Sequence, residues 1–125
     1  MVTSAPNLTS VSWMAPAFGP AQGRHGVTFH PRVTFSCKAL HPDNNWVVDI
    51  GWLQSALSTV TQKYHLKDLD EICPDQVTTT EWMAQQLFSD IVSEAKKGSF
   101  SFSGSIRVTV KESDVAEASY ENSIE

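Results

Sequence analysis

The 125-residue chain carries few side chains suited to capturing a ligand or moving a proton, and one of them stands in an unexpected place. Ile106, Val108 and Val110 alternate with Arg107, Thr109 and Lys111, and the same alternation lands Glu112 on the aliphatic side. Two readings of that carboxylate stay open. It is a strand-end acid that turns to solvent, or a partly desolvated group that anchors a ligand or acts as a general acid/base. The histidines are His25, His30, His41 and His65. His30 falls on the polar side of its strand, as a surface residue or a site residue. His65 follows a helix pattern ending near Tyr64, where a histidine suits the helix dipole or serves as an acid/base. His41 belongs to the turn "HPDNN", and His25 to a Pro- and Gly-rich loop placed to cover a pocket. Cys37 and Cys73 lack C-x-x-C spacing and read as reduced thiols, with Cys37 at a core position of its strand.

The elements that must position these groups follow from periodicity. Apolar residues make up 41% and charged residues 18%, the composition of one ordinary domain, expected to span 1–125 with 1–8 as a loose lead-in. The net charge of −5, without a Lys/Arg stripe, argues against nucleic acid and anionic membrane as partners. No stretch resembles a signal peptide or a membrane span, and a cytoplasmic location is expected. Period-two patterns mark strands over 9–15, 27–39, about 99–112 with a polar loop around Ser103–Ser105, and "AEASYE". Pro31 marks an edge, a bulge or the first residues of the second strand. Helical spacing joins Trp52, Leu53, Ala56, Leu57, Val60 and Tyr64, with Asp49 placed to cap. A second stripe of Trp82, Met83, Leu87, Ile91 and Ala95 follows "TTTE", where Thr78 and Glu81 have capping-box spacing, and stops at Gly98. The order ββααββ predicts an α+β fold, a four-stranded antiparallel sheet with two helices on one face.

Four segments in this order carry a resemblance: "PDNNWVVDIGWLQSAL", "YHLKDLDEI", "TTTEWMAQQLFSDI" and "IRVTVKESDVAEASYE". From about residue 27 to 120 the chain resembles the 6-pyruvoyl-tetrahydropterin synthase and 6-carboxytetrahydropterin synthase family, whose fold is the T-fold. The resemblance implies that Glu112 anchors a pterin ring, accepting hydrogen bonds from its amino group and adjacent ring N–H. It implies ring contacts from Thr79 and Thr80, a first-strand neighbourhood in which Trp13 stacks on a flat ligand, and assembly as a homo-oligomer, a trimer or dimer of trimers.

The chain departs from the family at the metal and the bases. The family's zinc takes one histidine from the first strand and two from a His-x-His on the second. Here "TSVSWMA" has no histidine, and His25 and His30, at odd spacing, point opposite ways on a strand. A catalytic zinc needs about three protein ligands, so no metal and no cofactor is expected. The loop "PAFGPAQGRHG" lacks the family's cysteine, and the family's Asp-His pair falls on His65-Leu66. The expectation is a metal-free biosynthetic enzyme that performs an acid/base cyclisation or condensation on a heterocyclic or aromatic amine substrate. An amine–carbonyl, Pictet–Spengler-like closure is one version, with Glu112, His65 and His30 as the acid/base groups. The alternatives are a pterin-binding protein without turnover and a structural partner of an active paralogue.

Overall fold

Aliphatic and polar residues alternate along four segments, and each becomes a strand of one antiparallel sheet. The computed structural model describes residues 9–18, 28–67, 69–76, 78–98 and 102–124. The lead-in 1–8, most of the Pro/Gly-rich loop, His25 and Val27 lie outside the described residues. The strands are β1 (Thr9–Met14), β2 (His30–Cys37), β3 (Gly104–Ser113) and β4 (Ala116–Ile124), ordered β1-β2-β3-β4. The last strand is longer than "AEASYE" suggests. Two long helices, α1 (Ile50–Gln62) and α3 (Thr80–Lys97), cover one face of the sheet. This is the expected ββααββ architecture, with one addition. A single turn, α2 (Leu69–Ile72), interrupts the α1–α3 connection. Its anchor is the buried Leu69.

The core lies between sheet and helices. Phe35, Val33, Ile106, Val108 and Val110 meet Leu53, Leu57, Met83, Leu87 and Ile91, all fully buried. Cys37 joins the buried side of β2, as its parity predicts. The opposite face is polar: Ser12, His30, Arg32, Thr34, Arg107, Thr109, Lys111 and Ser119 occupy the alternate positions.

Pro31 sits second in β2, consistent with a strand start rather than an edge strand, since β2 is interior. The Ala15 amide donates to the Pro31 carbonyl at 3.2 Å, but proline has no N–H to return the bond. The β1–β2 ladder ends there and resumes one residue out of step at the isolated Phe18–Phe29 bridge.

Both helix starts are built by side chains. Asp49 caps α1, accepting from the Gly51 amide at 2.9 Å, as predicted. The cap of α3 is Thr79, whose hydroxyl accepts from the Trp82 amide at 3.0 Å. This corrects the Thr78–Glu81 box by one residue, and Glu81 instead puts its charge in the first turn, where the dipole favours it. Gly98 ends α3 in a non-left-handed conformation (φ −74°). Residues 46–48 are irregular, with Val48 buried and Trp46 exposed.

One glycine is required by close approach. A Cβ on Gly104 would lie 2.2 Å from the Ser36 carbonyl oxygen and 2.9 Å from the Phe102 ring. Because the first obstacle is backbone in the neighbouring strand, Gly104→Ala is expected to cost ~1–3 kcal/mol of stability through overpacking. Urea denaturation of the variant checks this, and an unchanged midpoint would remove the constraint.

Candidate functional site

Glu112 ends the core-facing row of β3, and the structure explains why its carboxylate is tolerated there. The β3–β4 register runs Lys111↔Glu117 and then Ser113↔Ala116, so Glu112 is the extra residue of a β-bulge. A bulge bends its strand and re-aims a side chain. The carboxylate emerges at the rim of the core, exposed to solvent, and Thr80 Oγ1 donates to its Oε2 at 3.0 Å. Of the two sequence readings, the rim position keeps a part of each: the group is solvated, yet held on the helix-bearing side.

The start of α3 thus supplies two threonines with different work. Thr79 uses its hydroxyl on the helix backbone, while the Thr80 hydroxyl holds Glu112. Thr80 is the hydrogen-bond partner of Glu112 among the described residues, which leaves three of the carboxylate's roughly four acceptor sites for a ligand.

The turn after α1 lies against the first turn of α3, because the Tyr64 ring packs edge-on against Trp82 with centroids 6.4 Å apart. His65 is half-buried in this turn, its amide donating to the Thr61 carbonyl at 3.1 Å. Leu66 follows in the left-handed region (φ 57°) and is 63% exposed. A bulky residue without a polar side chain rarely adopts that conformation.

Beneath the turn, the Tyr64 hydroxyl donates to Asp90 Oδ2, and Lys63 Nζ lies 3.7 Å from Asp90 Oδ1. Burial first, and the Asp90 carboxylate second, raise the Tyr64 phenol well above its ordinary value of 10.0. A raised phenol keeps its proton longer when folded than when unfolded. The stabilisation is therefore complete below pH 10 and is lost as pH rises beyond it. Tyr64→Phe is expected to lower the melting temperature at pH 7 and to flatten its decline above about pH 10. Parallel alkaline declines in both proteins would exclude Tyr64 as the titrating group.

The remaining predicted residues fall elsewhere. Trp13 is half-buried on the helix-bearing face of β1, packed against the core rather than offered as an open platform. His30 pairs with Lys111 across β2 and β3 and points to the polar face, opposite to Glu112. Within one chain, then, Thr79, Thr80 and Glu112 come together beside the turn of His65, and His30 does not join them. His41 occupies a turn, its Nδ1 accepting from the Asp43 amide at 3.3 Å. His25 lies outside the described residues. The bulge at Glu112 and the Tyr64–Asp90–Lys63 cluster were not legible in the sequence; only the parity of Glu112 signalled that its strand end was unusual.

The comparisons extend this picture. A family model described as 6-pyruvoyl tetrahydropterin synthase matches residues 6–123. No curated protein matches the sequence. The solved 6-pyruvoyl tetrahydropterin synthase of Caenorhabditis elegans is similar with a TM-score of 0.74 at 17% identity, over 96% of this chain and 99% of that one. The Plasmodium falciparum enzyme gives a TM-score of 0.72 at 16% identity over 94% and 99%. The Plasmodium vivax enzyme gives 0.62 at 15% identity over 94% and 99%. The zinc that the sequence resemblance brings to mind does not fit these residues. β1 has no histidine, β2 has His30 alone, and no three His, Cys, Asp or Glu side chains cluster among the described residues.

Proposed function

The chain belongs to the 6-pyruvoyl tetrahydropterin synthase family, and we propose that it is a divergent member, a biosynthetic enzyme carrying out an acid/base cyclisation or condensation on a flat, nitrogen-bearing substrate anchored by Glu112. The observation that carries this reading is the Glu112 carboxylate, re-aimed by a bulge and held by Thr80 at 3.0 Å beside the cap of α3.

Glu112 accepts hydrogen bonds from an amino group and a neighbouring ring N–H, a paired geometry that fixes the plane of the ligand. Thr80 orients the carboxylate, and the same carboxylate takes up or returns a proton as the substrate closes. His65, in the adjoining turn, is the second proton carrier. For an amine and a carbonyl held at one site, loss of translational freedom supplies much of the rate. His30, on the other face of its own sheet, enters such a site only if a neighbouring subunit brings it there. A homo-oligomer, a trimer or dimer of trimers, located in the cytoplasm, is part of the proposal. No helix among the described residues is long and apolar enough to cross a membrane.

The test is a thermal-shift screen of pterins and aromatic amines, followed by product analysis with an aldehyde co-substrate. The expected result is a ligand that raises the melting temperature and is converted to a cyclised product by the wild type but not by Glu112→Gln. Failure of every pterin and amine to bind would overturn the proposal.

A second reading, a pterin-binding protein without turnover, is favoured by one observation. Leu66, exposed with φ 57°, stands at the position to which the family's basic histidine aligns. Tight pterin binding with no product from any co-substrate would select it.

A further inference from the structure

The polar face of the sheet gathers charge that the Glu112 site does not use. Met14, His30, Arg32, Thr34, Arg107, Thr109, Lys111 and Glu117 line a shallow cavity of about 430 Å³ there. Three permanent cations and one acid line it, with Glu121 opposite Arg107 on the same face, in a chain whose net charge is −5.

Register fixes their spacing. Arg32 pairs with Thr109, so Arg107 and Lys111, two residues to either side of Thr109 on β3, are both diagonal neighbours of Arg32. Diagonal neighbours on one face lie roughly 7–8 Å apart. The cations form a zigzag with Thr34 and Thr109 between them, a row of donors across two strands.

Their own partners are weak. Among the described residues, Arg32 Nη2 donates to the Met14 sulfur at 3.2 Å, a poor acceptor. Lys111 Nζ lies 3.9 Å from Asp114, whose carboxylate is fully exposed. Arg107 forms no ion pair or side-chain hydrogen bond among the described residues, although register sets it opposite Glu121. Glu117, opposite Lys111, likewise closes no ion pair among the described residues. Guanidinium forks left without carboxylates are matched to phosphate oxygens, which they bind in pairs. A single carboxylate would engage one fork, whereas an anion with charge spread along its length engages the row.

We propose that Arg32, Arg107 and Lys111 form a binding site for an oligovalent phosphate anion on the helix-free face of the sheet. No Phe, Tyr or Trp shares that face among the described residues, and the row of cations matches the phosphate chain itself. The site lies on the opposite side of the sheet from Glu112 and does not depend on what Glu112 binds.

The experiment is calorimetric titration of the full chain with inorganic diphosphate at constant ionic strength, with sulfate as the comparison anion. The expected result is saturable diphosphate binding that falls by about tenfold or more in Arg32→Gln/Arg107→Gln. Lys96→Gln/Lys97→Gln, which removes two cations from α3, leaves it unchanged. Should the double arginine variant lose its far-UV circular dichroism, Arg32→Gln and Lys111→Gln alone are each expected to weaken binding. No saturable binding by the wild type, equal affinity for sulfate, or equal losses in the α3 variant would each overturn the site.

Discussion

Glu112→Gln is expected to lose about 10- to 100-fold in affinity for any pterin or aromatic amine the wild type binds, equivalent to ~1.5–3 kcal/mol for hydrogen bonds to a charged acceptor. The substitution keeps the side chain's shape and one acceptor oxygen, so it tests charge and pairing rather than volume. Thr80→Val should have a smaller effect of the same sign, because it releases the carboxylate from its 3.0 Å hydrogen bond without removing it. Isothermal titration with both variants orders the two contributions. A loss of less than about threefold in Glu112→Gln, well under ~1 kcal/mol, would show that ligand recognition lies elsewhere. Stability is a useful control. The carboxylate sits at the rim with one hydroxyl partner among the described residues, so the melting temperature of Glu112→Gln without ligand should move little.

The largest effect on folding is expected at Phe35. It is fully buried in an interior strand, with the Trp52 ring 6.0 Å away from one helix and the Phe102 ring 4.9 Å away from the approach to β3. Phe35→Ala removes the contact that joins these pieces and leaves a cavity, at a cost of ~3–5 kcal/mol. That is a large share of the ~5–15 kcal/mol available to a domain of this size, so the variant should unfold at much lower denaturant or be recovered in low yield. Chemical denaturation checks this. A cost below ~1 kcal/mol would mean the surrounding side chains collapse into the space, against the close packing of fully buried Val33, Leu53 and Ile106.

The layers of this molecule are legible in its sequence where a single periodicity operates. The alternation of Val33, Phe35 and Cys37, and of Ile106, Val108 and Val110, puts the correct face inward, and Asp49 announces α1. Features fixed by two distant segments at once are not legible. Thr78 and Thr79 are chemically equal as caps, and the choice of Thr79 leaves Thr80 on the helix with its hydroxyl toward Glu112. The bulge at Glu112 carries neither glycine nor proline to mark it. The four-residue α2 is too short to show a period and depends on burying Leu69. Leu66 hides its left-handed backbone because leucine is a poor advertisement for one. The cationic zigzag needs the β2–β3 register, and parity alone supplies only its sidedness.

The bulge has one more consequence. It interrupts pairing only between β3 and β4, while the β2–β3 pairs run unbroken from Ser36↔Ser105 to His30↔Lys111. Lys111, the residue before Glu112, is therefore held by β2 as well as β4, while the bulge aims Glu112 itself. Val115 at its tip is 95% exposed. An epitope or reporter peptide grafted between Asp114 and Val115 would lengthen the hairpin into solvent and leave the carboxylate in place. The tip is a natural attachment point for immobilising the protein without blocking the site.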